Sequence, residues 1–317
     1  MFEVNVSRKA IEAEGVCSFE LSPLNGGSLP PFEAGAHIDV HVPGGFIRQY
    51  SLCNDPRERN RYLISVLREP SSRGGSQAMH CAVEQGHTLT ISAPRNLFQL
   101  DHSAKRHLLF AGGIGITPIL AMAYELSHRS LAFELHYCFR SSDRAAFVNA
   151  LAHAPFADCI TFHDDSGVQQ QKLNAAAILD TVDQGCHLYV CGPTGFMNHI
   201  LETGEAAGWP QARMHREFFA GQIGDQGSNR PFEVVLARSD RTFEIPADRS
   251  VFEVLDDAGI ELQTSCEQGV CGTCVTRVLE GIPDHKDQFL TADEHARNDC
   301  FTPCCSRAKS PRIVLDL

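Results

Sequence analysis

Over the first hundred residues, apolar and polar positions tend to alternate with a period of two. Phe2–Val6, His37–Val42, Tyr62–Leu67 and His87–Ala93 set β-branched, aromatic or aliphatic residues between polar ones, the mark of half-buried strands. Asn25-Gly26-Gly27 and Pro43-Gly44-Gly45 separate such runs as turns. One helical patch lies near Ser76–Val83. Many short strands with a single helix predict a small antiparallel β-barrel over residues 1–103. From Arg106 the pattern changes. Buried strand runs (107–113, 133–139, 158–164, 187–193) alternate with helical ones (116–128, 143–154, 194–208). That order predicts an α/β domain with a parallel sheet over residues 104–223. Residues 224–230 are polar, Gly-rich and without period, and read as a linker. Residues 231–317 return to short strands around one helix, Ser250–Gly259, which predicts a compact α+β domain. The fold class is therefore multi-domain: antiparallel β-barrel, α/β parallel sheet, then a small α+β unit of the β-grasp kind.

Composition adds limits. The chain of 317 residues is 43% hydrophobic and 21% charged, with net charge −12, which argues against nucleic acid as a partner. The acidity is uneven. Pro231–Leu317 carries 16 acidic and 9 basic residues, net −7, against −5 for the longer remainder. A basic docking surface on a partner would suit that end. The apolar stretch at Leu108–Ala123 is broken by Gly, Thr and Pro and is too short to span a bilayer. The opening residues lack an apolar signal segment, and an odd count of 13 cysteines fits a reducing cytoplasm.

Chemistry is densest near the C-terminus. Cys266, Cys271 and Cys274 are spaced C-x4-C-x2-C and followed by a distant Cys304, the arrangement that holds a plant-type [2Fe–2S] cluster. Structural zinc usually shows two C-x2-C pairs, and here Cys271 and Cys274 make the single such pair. Small residues Gly269, Gly272 and Thr273 let backbone N–H groups approach the sulfurs. Cys304 is taken as the fourth ligand, with Cys305 its rival. In the barrel region, Arg48-Gln49-Tyr50-Ser51 offers a cation for a phosphate, an aromatic face and ring donors, the groups a flavin needs. Arg73-Gly74-Gly75-Ser76 opens the lone helix there, and bare N–H groups at a helix start suit a phosphate. In the α/β region, Gly112-Gly113-Ile114-Gly115-Ile116-Thr117-Pro118 follows the first strand. Pro118 stands where a dinucleotide fingerprint has its third Gly. Thr117 and Pro118 are expected as N-cap and first helical residue. Cys191-Gly192-Pro193 lies at another strand end, where nucleotide ligands bind in such sheets.

Taken together and in this order, these motifs, with the tail Cys304-Cys305-Ser306-Arg307-Ala308-Lys309-Ser310, resemble one family. It is the ferredoxin–NADP⁺ reductase-like flavoproteins fused to a C-terminal plant-type ferredoxin, the group of phthalate dioxygenase reductase and the vanillate O-demethylase reductase component. The resemblance covers nearly the whole chain. It implies FMN, NADH as donor and a Rieske-type oxygenase as acceptor. Arg48, Tyr50 and Ser51 would then hold the flavin, with Gly74, Gly75 and Ser76 at its phosphate. Gly113, Thr117, Cys191 and Pro193 would frame the nicotinamide. Phe218, or its neighbour Phe219, would lie near the flavin. Asp143 could accept from a ribose hydroxyl, whereas Arg140 could accommodate a 2′-phosphate; the resemblance tips the balance to NADH. The chain is expected to work as a monomeric electron-transfer reductase that docks transiently on its oxygenase, away from membrane and nucleic acid. Alternatives are a reductase for a P450-like acceptor or free flavin, and an electron-carrier module without turnover.

Overall fold

A computed structural model describes residues 1–69, 74–168, 171–180, 185–219 and 229–317. Arg73 and most of the expected linker lie outside the described residues. Two compact units emerge, Met1–Glu217 and Phe218–Leu317.

The first unit begins with a seven-stranded antiparallel sheet. Its order runs Phe46–Ser51, Ala36–Val42, Thr88–Ile91, Phe2–Ala13, Val16–Pro23, Tyr62–Leu67, with the short Arg95–Asn96 on Ala36–Val42. An isolated bridge from Leu52 to Ile64 ties the two ends of that order together, so the sheet closes as a barrel. Val4, Val6, Phe19, Leu21, Ile38, Val40 and Ile64 fill its interior at under 1% exposure, as the alternation requires. The helix Gly75–Ala82 stands where the sequence places it.

Five parallel strands follow, ordered Ile160–Asp164, Ala132–Phe139, Arg106–Gly112, Cys186–Cys191, Met214–Glu217. The first strand in sequence, Arg106–Gly112, is central. The chain builds outward on one side of it, then crosses to the other at Cys186–Cys191. The order of strands reverses between those two, and a ligand crevice belongs at their C-terminal ends. Residue 103 lies in the loop between the two sheets, and one continuous apolar core runs from the barrel (Phe19, Ile64) into the parallel sheet (Leu109, Tyr137).

Two local expectations differ. The helix begins at Ile116, not Pro118, and Gly115 is its N-cap. Thr117 already lies in the first turn, where its hydroxyl donates to the Ile114 carbonyl at 3.0 Å. The helix expected over 143–154 shrinks to Val148–Ala152, because Phe147 takes a left-handed conformation, φ 62°, just before it. Asp143 sits in a separate 3-10 turn, Ser142–Arg144, and caps no helix.

The second unit is a mixed sheet, ordered Arg241–Ile245, Phe232–Leu236, Arg312–Leu315, Thr276–Glu280, Cys300–Phe301. Phe232–Leu236 and Arg312–Leu315 run parallel; the other pairs are antiparallel. The helix Val251–Asp257 buries Val251 and Leu255 in a core with Val234, Phe301 and Ile313. Its start is a capping box, Ser250 with Glu253, and Thr291 with Glu294 repeats the device on the helix Ala292–Arg297.

Candidate functional site

In the second unit the chain winds tightly around four sulfurs. Cys266, Cys271, Cys274 and Cys304 are 5 to 8% exposed. Their side chains fall into two pairs. Cys266 and Cys271 are hydrogen-bonded, and the Cys274 and Cys304 sulfurs stand 3.3 Å apart, well beyond the about 2.05 Å of a disulfide. Backbone N–H groups point inward, from Gln268 to Cys266 Sγ and from Thr273 to Cys271 Sγ, both at 3.4 Å. Gly269 and Gly272 hold φ of +72° and +69°, and a Cβ there would come within 2.4 Å of Cys305 Sγ and 2.2 Å of the Phe289 ring. Only glycine tolerates both demands. The hydrogen bond from Cys266 lowers the Cys271 thiol below its usual range. Four soft donors in two pairs, with amides aimed at the sulfurs, fit a [2Fe–2S] cluster. Cys305 lies beside them: its side chain is hydrogen-bonded to Cys304, and its sulfur lies 3.3 Å from the Thr302 hydroxyl. Cys300 belongs to a strand, opposite Arg277.

In the first unit the two halves of the expected phosphate site meet. Arg48 lies on the strand Phe46–Ser51 and donates to the Ile47 carbonyl at 2.7 Å. Its guanidinium stacks on Phe46, 5.3 Å from the ring centroid. A Cβ on Gly75 would come within 2.8 Å of Arg48 Nε, so the arginine lies directly over the helix start. Gly74 precedes it in the left-handed region, φ 103°. A guanidinium and the N–H groups of an eight-residue helix thus converge on one place, and both favour an anion. Phe46, which steers Arg48, carried no sequence signal of its own. Gln49 donates to Asp39 at 3.1 Å and Ser76 Oγ accepts from the Glu69 N–H, so these two serve neighbouring structure. Tyr50 is half-buried on the same strand.

At the strand crossover the two glycine turns touch. A Cβ on Gly115 would sit 2.2 Å from the Cys191 carbonyl oxygen, and one on Gly112 would strike Phe196 at 2.8 Å and Pro193 at 3.0 Å. The turns after Arg106–Gly112 and Cys186–Cys191 therefore pack backbone to backbone, with room for no side chain. Gly113 (φ 53°) has open space beyond its Cα. Pro193 caps the helix Thr194–Ala206. Arg140 and Asp143 are both exposed beyond the strand Ala132–Phe139, and Ser141 holds the Asp143 carboxylate.

Glu217, at the C-terminal end of Met214–Glu217, was not anticipated. Ser51 Oγ donates to its Oε2 at 3.1 Å, which links the barrel strand to the parallel sheet. The residue is half-buried, and burial pushes its carboxyl up to about 8 against the lowering effect of Ser51. Burial, then Glu217 itself, raises the Cys191 thiol well above its usual range. A neutral carboxyl, a hydroxyl and a neutral thiol thus face the crevice end of the sheet at pH 7. Phe218, next in the chain, is half-buried, and Phe219 is exposed.

A closed barrel carrying an anion cradle, a parallel sheet with a glycine-lined crossover and a cysteine-loop unit define a flavin and nicotinamide reductase joined to a plant-type ferredoxin. The 2Fe-2S iron-sulfur cluster binding domain family matches residues 234–309, and the N-terminal domain of the dimethylamine monooxygenase subunit DmmA-like family matches residues 90–214. A vanillate O-demethylase oxidoreductase of Pseudomonas sp. (strain HR199 / DSM 7063) is 55% identical over 317 residues, all of both chains. The solved phthalate dioxygenase reductase is 40% identical, with a TM-score of 0.81 over 100% of this chain and 98% of that one. An intact type IV self-sufficient cytochrome P450 monooxygenase is 36% identical with a TM-score of 0.82, over 99% of this chain but 41% of its own. The chain belongs to the phthalate dioxygenase reductase family of NADH-dependent flavin and iron–sulfur oxidoreductases.

Proposed function

We propose that this protein is the reductase component of a two-component Rieske-type oxygenase, taking electrons from NADH through FMN and a [2Fe–2S] cluster. The observation that carries the reading is that one chain holds both the glycine-lined crossover of Gly112–Gly115 with Cys191–Pro193 and the paired cysteines 266/271 and 274/304. When bound, the flavin supplies the conversion between a two-electron hydride donor and a one-electron cluster. The chain's own part is positional. Arg48 and the Gly74–Gly75 helix start would hold the flavin phosphate, with Tyr50 and Ser51 beside them on the same strand to hold its ring. Gly113 would let the nicotinamide nucleotide lie against backbone, with Gly112 and Gly115 seating that turn on Cys191–Pro193, while Glu217 holds a proton on its carboxyl beside Ser51. Cys304 rather than Cys305 completes the cluster, because its sulfur pairs with that of Cys274.

The vanillate O-demethylase and phthalate 4,5-dioxygenase relatives support an oxygenase as partner, and the Rieske class is what the family resemblance implies. The experiment is stopped-flow reduction of a purified Rieske oxygenase by the protein with NADH. Transfer at a rate no greater than to a P450 would favour the second reading, a P450-type acceptor, for which the self-sufficient P450 similarity speaks. NADH is the preferred donor, with Asp143 accepting from the ribose; kcat/KM in favour of NADPH would reverse this and point to Arg140. The protein docks transiently, as a monomer, in the cytoplasm. Among the described residues no helix is long and apolar enough to cross a membrane.

A further inference from the structure

The second unit holds another set of donors apart from the cysteines. His285, Asp287 and His295 each bring one ligand atom within 4.8 Å of the others. His295 Nε2 lies 3.2 Å from Asp287 Oδ2, and His285 Nδ1 lies 3.6 Å from Oδ1. The two imidazoles stack, centroids 4.2 Å apart and planes at 21°. The Asp287 side chain is fully buried.

Part of this has a structural explanation. Asp287 accepts from the Leu290 N–H at 2.8 Å and from Ser306 Oγ at 3.3 Å, and a hydrogen bond from His295 would complete it. His285 is different. Its side chain is 8% exposed, and neither ring nitrogen has a hydrogen-bond partner among the described residues. A buried imidazole with both nitrogens unmet is costly, and such a group calls for a missing partner.

We propose that His285, Asp287 and His295 bind a divalent transition-metal ion, Zn2+ or one of similar size. Two imidazoles and a carboxylate are a donor set that zinc and its first-row neighbours take, and one that calcium and magnesium do not. The three donor atoms lie within 4.8 Å of one another, and the 3.2 Å from His295 Nε2 to Asp287 Oδ2 is close to the roughly 3.4 Å between two donors on a tetrahedral ion with bonds of about 2.0–2.1 Å. The Leu290 and Ser306 bonds fix the carboxylate, as the outer partners of a metal site do. Opening the angle between the stacked rings is the rearrangement that binding requires. The ligands are nitrogen and oxygen, so the site is chemically distinct from the thiolates of the cluster.

The test is equilibrium dialysis of the intact, cofactor-loaded protein against micromolar Zn2+, with zinc and iron counted by elemental analysis. The expected result is one zinc per chain at unchanged iron content, with affinity at least about tenfold weaker in His285→Ala and in His295→Gln. His295 is 31% exposed, so its replacement is tolerable to the fold. No zinc on the wild type, equal affinity in the His285→Ala/His295→Gln double variant, or zinc gained only as iron is lost would each overturn the proposal.

Discussion

At the scale of single residues, the least expected group is Glu217. Its carboxyl in the folded chain releases a proton near pH 8, against a usual 4.5. A raised carboxylate pKa means that the folded state holds the proton more tightly than the unfolded one. Stability from this group is therefore complete below about pH 4.5 and is lost progressively as pH rises through 8. Glu217→Gln keeps a neutral acceptor for Ser51 and removes the ionisation. Urea unfolding at pH 5, 7 and 9 should show the variant gaining on wild type as pH rises, by about 2–4 kcal/mol at pH 9. An unchanged pH slope would mean the carboxyl is not enclosed. Arg307 is a second such residue. Its guanidinium donates to the carbonyls of Arg249 (2.6 Å), Pro246 (2.7 Å) and Arg230 (3.2 Å) and lies on the Phe232 ring at 5.0 Å. An ammonium cannot span that fork. Arg307→Lys should cost about 1–3 kcal/mol and lower the temperature at which cluster absorbance bleaches. The sequence displayed Arg307 only as one letter of a tail motif, since its three acceptors are brought together by tertiary folding.

At the scale of elements, the periodic ones were legible. The expected helix 116–128 matches Ile116–His128, and the four barrel runs read from two-residue alternation are strands, though Val16–Pro23 was not among them. The strand Met214–Glu217 was missed, and Glu217 with it. Four residues, Met-His-Arg-Glu, at a sheet edge carry too little apolar period to show. The expected 143–154 helix failed for the converse reason: apolar residues were present, but Phe147 buries its ring by adopting φ 62°. The glycines were legible as turns, yet which turns touch is a property of topology. That contact can be tested. Gly115→Ala would drive a methyl to about 2.2 Å from the Cys191 carbonyl and push the two turns apart. The expected outcome is a loss of about 1–3 kcal/mol and a several-fold fall in kcat/KM for NADH. Gly75→Ala separates function from stability. Alanine favours the helix by up to about 1 kcal/mol, but its methyl displaces Arg48. Titration with FMN should show weaker binding in a variant that melts no lower than wild type. Tight flavin binding there would remove Arg48 from the phosphate site.

At the scale of the whole molecule, the two compact units divide the chemistry, and they differ in charge. Pro231–Leu317, which carries the cysteines, has net −7 in 87 residues, whereas the remaining 230 share −5. An acidic surface around the one-electron end attracts a basic partner, and that attraction fades as salt shortens the Debye length from about 10 Å at 0.1 M to about 3 Å at 1 M. Two acceptors tell the ends apart. Cytochrome c is a basic protein that must approach the cluster; ferricyanide is a small anion that takes electrons from the flavin. Cys274→Ser should abolish cytochrome c reduction and spare ferricyanide reduction, because Cys274 lies in the second unit and the flavin and nucleotide residues lie in the first. On that basis, NADH-driven cytochrome c reduction should slow several-fold between about 0.05 and 0.5 M salt, while ferricyanide reduction holds steady or rises as repulsion is screened. Parallel falls in both rates would place the salt effect on NADH binding, and the acidity of the C-terminal unit would then have no part in choosing the partner.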